Sequence, residues 1–276
     1  MLDVIFAHPH TKYDSYTDFR RLAELSGFEV AANIDSVDIN KKALYITCPH
    51  NGEVDAAMKA RPKNDRKCKV AMWFLERPAY EGGEKFRART AELLTTQLDY
   101  IWFSDCAMYK QVCHIHGTMF VPMGSDERLG EITQNKSYDF CHMSYCWGRR
   151  GVINEIEAKL GPNCWGNERH EVLKNTKFML NIHQDNDRYH EPLRFALCAA
   201  YAIPMISEEC IDSFPYVAGV DYIPVAYNDI KKRVHEILKE DYNKYIPYGS
   251  RMHAKATKEF KFIDNVKKAA IQVSNE

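Results

Sequence analysis

Along the 276-residue chain, short apolar runs alternate with stretches whose apolar positions recur every three or four residues. Asp3-Val4-Ile5-Phe6-Ala7 is the first run, and His8-Pro9-His10-Thr11 breaks it. Ser15 followed three residues later by Asp18 has the form of a capping box, in which two side chains satisfy N–H groups left open at a helix start. Tyr16, Phe19, Leu22 and Ala23 then share one helical face, Gly27 supplies a stop, and residues 28–34 read as the next strand. Strand, helix, strand in this order makes a βαβ unit, and hence a parallel sheet.

The pattern continues through strands at 44–47, 70–75, 100–103 and 118–121. A helix at 83–98 carries Phe86, Ala91 and Leu94 on one side, and a second helix spans 106–113. Residues 122–136 are polar, contain glycine and show no period, which suits a linker. The grammar then restarts. Strands are expected at 138–143, 178–182, 203–207 and 222–225, and helices at 150–160, 190–201, 229–242 and 253–273. The predicted fold class is α/β, with two Rossmann-like domains facing across a cleft in a compact chain. Residues 1–125 form the first domain and 137–250 the second, and the helix in 251–276 packs back toward the first. Ligands of such folds bind at the carboxyl ends of the strands.

Composition narrows the function classes. The chain has 37 Lys+Arg against 38 Asp+Glu, which argues against a surface that clings throughout to nucleic acid or acidic lipid. With 16 Tyr, 13 Phe and 4 Trp there is ample surface to bury, so disorder is excluded. No apolar run reaches the ~18 residues of a membrane span, and the start has no signal-peptide pattern. Nine cysteines, odd in number and without a CxxC, fit reduced thiols and a cytoplasmic setting. One segment departs from neutrality. Lys59, Arg61, Lys63, Arg66, Lys67 and Lys69 face only Asp65, and Lys85, Arg87 and Arg89 follow. Two readings apply to it: a solvated basic loop, or a grip on an anionic acceptor.

Several motifs are absent. There is no GxGxxG after the first strand, no GxxxxGK[ST], no HExxH and no GxSxG, so dinucleotide oxidoreductases, P-loop NTPases, zincins and serine hydrolases lose their main support. Cys113-His114-Ile115-His116 and Cys141-His142 lack a second pair at zinc spacing. Asp185-Asn186-Asp187 has the D-x-D form of some metal-holding transferases, and also the form of an ordinary turn.

The richest stretch runs from Asn181-Ile182-His183-Gln184 to Glu209. A buried strand ends in Asn and His, a polar loop follows, and a helix begins near His190 with Glu191 and Arg194 on one face. A helix N-terminus with a guanidinium beside it suits a diphosphate. Arg149, Arg150 and Arg194 are the candidates, and Glu191 could take ribose hydroxyls. A hydroxyl acceptor would need a base, for which His8, Glu76 and Asp105 at strand ends are candidates. Each also has a plain structural reading, as a surface ion pair, a helix start or a strand end.

This stretch resembles the donor-binding region of GT-B glycosyltransferases of the group-1 and CgeB-like branch. Ala202-Ile203-Pro204-Met205-Ile206-Ser207 stands where that family has G-x-P-x-I-S. Tyr138-Asp139-Phe140-Cys141-His142-Met143-Ser144 with Trp147-Gly148-Arg149-Arg150 is similar to its first donor-domain strand and loop. Trp73-Phe74-Leu75-Glu76, Trp102-Phe103-Ser104-Asp105 and Val121-Pro122-Met123-Gly124-Ser125-Asp126 resemble strand ends and the linker entry of the acceptor side. Glu191 has Ala199 eight places on, where retaining members often carry a second glutamate, so the stereochemistry stays open. The resemblance implies metal-independent transfer from a nucleotide-diphosphate sugar to a hydroxyl. Such a co-substrate would be held by Ser144, Arg149, Arg150, His183, Tyr189, Glu191 and Arg194, with no cofactor and no metal site. The acceptor is expected to be anionic: a polysaccharide, a lipid-linked glycan, or modified DNA held by loop 59–69. A non-catalytic two-domain binder and a GT-B-shaped nucleotide-sugar epimerase are the alternatives.

Overall fold

The computed structural model describes residues 2–7, 15–31, 37–48, 63–75, 83–143, 150–156, 164, 168–183 and 188–276. The chain divides into two units. Residues 1–123, 191–193 and 262–276 make up the first, and residues 124–190 and 194–261 the second.

In the first unit the order is β1 (Asp3–Ala7), α1 (Ser15–Leu25), β2 (Glu29–Ala31), β3 (Ala43–Thr47), β4 (Lys69–Phe74), α2 (Gly83–Thr96), β5 (Tyr100–Phe103), α3 (Cys106–Val112) and β6 (Thr118–Phe120). The strands form one six-stranded sheet in the order β2-β1-β3-β4-β5-β6. Every pairing is parallel. That is why β3 and β5 read as unbroken apolar runs: all their residues are buried, because a parallel sheet is covered on both faces. The order reverses between β1 and β3, the position at which open α/β sheets leave a crevice at their carboxyl edge.

Aromatic rings fill the core. Phe6 and Phe19 lie 5.3 Å apart, Phe19 and Trp73 meet edge to face, and Trp73 meets Trp102 edge to face at 5.5 Å. The C-terminal helix, Phe262–Asn275, completes this core. Phe262 stacks on Trp73 at 5.5 Å, Asn265 Nδ2 donates to Pro122 O at 2.9 Å, and Lys69 Nζ donates to Val273 O at 2.8 Å. On α2 the buried set is Phe86, Thr90, Leu93 and Leu94, while Ala91, expected inside, is half-exposed. The true stripe follows i, i+4, i+7, i+8, and Thr90 can join it because its hydroxyl donates to Phe86 O at 2.9 Å.

The second unit comprises β7 (Tyr138–His142), α4 (Arg150–Ile156), α5 (Arg169–Lys174), β8 (Thr176–Asn181), α6 (Pro192–Ala200) from Arg194 onward, β9 (Met205–Glu208), β10 (Ile223–Val225), α7 (Ile230–Ile237) and α8 (Ile246–Ala254). Its four strands are parallel in the order β10-β9-β8-β7. Phe140, Phe178, Leu180, Ile206, Val234 and Tyr245 belong to its buried core.

Three features differ from expectation. Helix α5 was not anticipated, and at six residues it is too short to show a period. Helix α7 stops at Ile237, well before 242. The single helix expected at 253–273 is two helices, with a π turn at Lys255–Glu259 and a non-helical Phe260 between them. Pro247 marks the earlier start, since proline is tolerated only in the first turn of a helix.

Helix α6 ends in a Schellman motif. Ile203 N–H donates to Cys198 O and Ala202 N–H to Ala199 O, both at 3.0 Å, with Ala202 left-handed at φ 50. This is the place where the resembled family prefers glycine, and its left-handed backbone accounts for the preference. Helix α8 packs tightly against this turn: a Cβ on Gly249 would stand 2.0 Å from Ala202 O, so only glycine fits. The eight described cysteines are free, and burial pushes the Cys198 thiol well above its ordinary range. No described helix is long and apolar enough to cross a membrane.

Candidate functional site

At the carboxyl edge of the second sheet, polar side chains converge where three parallel strands end. Asn181 closes β8 and Ser207 lies next to the end of β9, and the two are register partners. Their side chains therefore stand at one level on one face. Asn181 Nδ2 donates to Ser207 Oγ at 2.9 Å, and the Ser207 hydroxyl donates onward to Glu208 O at 2.7 Å. Glu208, the last residue of β9, accepts the His183 backbone N–H at 2.7 Å on Oε2. Arg194, in the first turn of α6, donates through Nη1 to Asn181 Oδ1 and through Nη2 to Met143 O at 3.4 Å. Asn181, His183, Ser207 and Glu208 are all buried. A cation at a helix N-terminus opposes the helix dipole, so Arg194 is best stabilised with an anion beside it.

The sequence-derived donor residues fare unevenly. His183 and Arg194 belong to this polar tier. Tyr189 and Glu191 are described, both half-buried just before α6. Ser144 and Arg149 lie outside the described residues, as does the Asp185-Asn186-Asp187 motif, and of Arg150 only the backbone, opening α4, is described. Ser207 and Glu208 were not singled out in advance. Their signal was available, because a Ser-Glu pair directly after the apolar Met205-Ile206 marks a carboxyl strand end.

The first unit presents a different edge. His8 and Glu76 lie outside the described residues, although His8 directly follows β1 in the chain. Asp105 is fully buried and caps α3, accepting the Met108 N–H at 2.6 Å. The neighbouring Ser104 accepts from Trp73 Nε1 at 2.8 Å and donates to Val121 O at 2.6 Å. The Trp, Ser and Asp of the resembled strand-end motifs are thus tied into packing and capping.

The basic segment also divides. Arg66 has a side chain 1% exposed and donates to Asp99 at 2.8 Å and to Gln97 O at 2.6 Å. Lys69 holds Val273 O, and Lys63 reaches Leu94 O at 3.4 Å. Arg89 pairs with Glu92 at 2.8 Å. Lys67 and Lys85 are exposed, while Lys59 and Arg61 lie outside the described residues. Among the described residues, no cluster of three His, Cys, Asp or Glu side chains could hold a metal ion.

The two parallel sheets define an α/β protein of the GT-B fold. No protein-family model and no curated protein sequence matches the chain. Solved structures do match its fold. Anabaena Alr3699/HepE, solved with UDP and with UDP-glucose, aligns over 100% of both chains with a TM-score of 0.65 and 9% identity. T4 phage beta-glucosyltransferase in complex with UDP-glucose aligns over 96% of this chain and 98% of its own, with a TM-score of 0.58 and 16% identity. TarM aligns over 93% of this chain at a TM-score of 0.58 and 9% identity, and the chain covers 57% of TarM.

Proposed function

We propose that the chain is a glycosyltransferase that moves a sugar from a nucleotide-diphosphate sugar to a hydroxyl acceptor without a metal. The observation that carries this reading is the polar tier of Asn181, Ser207, Glu208 and Arg194 at the carboxyl edge of the second sheet. It occurs in a fold shared with structures solved with UDP and UDP-glucose. The leaving nucleotide diphosphate gains negative charge, and Arg194 with the first N–H groups of α6 is suited to stabilise it. Arg149, Arg150, Ser144, His183, Tyr189 and Glu191 complete the proposed donor set.

The acceptor hydroxyl loses its proton to a base. We favour His8, because it directly follows β1 in the chain, with Glu76 as the second candidate. Asp105 is less suited, since its carboxylate caps a helix. The acceptor is proposed to be anionic, with the exposed Lys67 and Lys85 as its described contacts.

Calorimetric titration with UDP, GDP and dTDP, and then hydrolysis of the matching nucleotide sugars, tests the reading. Binding with slow sugar release is expected, and turnover should survive EDTA. Arg194→Ala should weaken the preferred nucleotide diphosphate by about 10-fold or more, the loss of a charge-assisted contact. A protein that binds none of the three nucleotides, or an Arg194→Ala variant of wild-type affinity, overturns the assignment. A changed sugar without nucleotide release would mark an epimerase instead.

A further inference from the structure

We infer that Asn181 is a positioning residue, whose amide aims the guanidinium of Arg194 at an anionic ligand while leaving its charge intact. The inference rests on the nucleotide-sugar reading above.

The argument starts from the direction of each hydrogen bond. Ser207 Oγ lies 2.7 Å from Glu208 O, which can only accept, so the single hydroxyl proton points there. Toward Asn181, 2.9 Å away, Ser207 Oγ must therefore accept. That fixes the NH2 of the Asn181 amide on the Ser207 side and its oxygen on the other, where it accepts from Arg194 Nη1. The register pairing of Asn181 with Ser207 sets the level of the relay, and both side chains are buried, at 0% and 1% exposure. A buried amide with both ends engaged has one orientation, because turning it would set donor against donor at Arg194 and acceptor against acceptor at Ser207.

The residue type matters as much as the placement. Aspartate has the same size and would also hold Arg194. However, its carboxylate would set a full negative charge against the guanidinium and against an incoming phosphate. It would also lack the proton that Ser207 Oγ accepts. Asparagine orients the cation as a neutral acceptor, which is what a residue facing an anion requires.

The test compares wild type, Asn181→Asp, Ser207→Ala and Arg194→Ala by UDP titration across a series of NaCl concentrations, with Tm measured for each. Asn181→Asp is expected to fold, to weaken UDP about 10-fold or more, and to flatten the fall of affinity with salt. Ser207→Ala, which removes the acceptor on the NH2 side of the amide, should weaken UDP about 3-fold through loss of one neutral hydrogen bond. A purely structural amide would lower Tm and leave both the affinity and the salt slope of folded protein unchanged. UDP binding at wild-type affinity in Asn181→Asp and Ser207→Ala, with Arg194→Ala impaired, overturns the positioning role alone. If Asn181→Asp fails to fold, Ser207→Ala decides in the same way. Absence of UDP binding by the wild type overturns the nucleotide reading on which the inference stands.

Discussion

The carboxyl edges of the two sheets use similar residues for different ends. In the first unit, the described polar groups beyond β5 turn inward. Ser104 bridges Trp73 to Val121, and Asp105 caps α3. In the second unit, Asn181, Ser207 and Glu208 hold one another and a half-buried arginine at the strand ends. Equal burial therefore does not mean equal employment. What separates the two edges is whether the hydrogen bonds close on backbone and core, or end on a cation at a helix start.

Substitutions can break or sharpen this contrast. The largest effects belong to the first unit. Phe262→Ala removes a ring stacked on Trp73 and should lower stability by about 3–5 kcal/mol, with UDP affinity of the folded fraction unchanged. Arg66→Ser leaves Asp99 without its buried partner and is expected to destabilise by about 3–5 kcal/mol, read by urea denaturation. Lys67→Ser should change stability by less than about 0.5 kcal/mol. Lys67→Ser with Lys85→Ser is therefore the combination that tests binding to a duplex oligonucleotide without unfolding, and retention equal to wild type would remove DNA as the acceptor.

Next in size, Asp105→Ala should cost about 1–2 kcal/mol through loss of the cap, whereas Asp105→Asn keeps a good capping group and should retain transfer. Loss of turnover in Asp105→Asn at unchanged Tm would make Asp105 a base and erase the contrast between the edges. The last effect is a gain. Ala202→Gly relieves a left-handed alanine and should stabilise by about 0.5–1 kcal/mol, visible as a small rise in Tm.

Much of this fold was legible because parallel strands covered on both faces leave continuous apolar runs, readable among the described strands from residues such as Val70, Ile101 and Phe178. Helices were harder where no full period fits. Helix α5 has six residues, and the split between α8 and the C-terminal helix depends on Phe260 leaving helical geometry, which no composition signal marks. Thr90 replaced Ala91 inside α2 because a backbone acceptor satisfied its hydroxyl, a fact of three dimensions. At the site, Arg194 and His183 were legible from a strand end followed by a helix. Their linkage through Ser207 and Glu208 was not, since it depends on the register of β8 against β9. Asp105 shows the converse, a polar residue after a strand whose carboxylate also caps the next helix, a use that its place in the sequence does not announce.

The edge-to-face indoles of Trp73 and Trp102, with centroids 5.5 Å apart, also have an optical consequence. Two chromophores held so close at a fixed 72° couple their electronic transitions and give a near-ultraviolet circular dichroism signal that vanishes when either ring turns freely. Both lie in the first unit, so that signal follows the packing of one unit alone. A variant made at the second sheet can thus be checked for an intact first core in the same cuvette used to titrate its ligand.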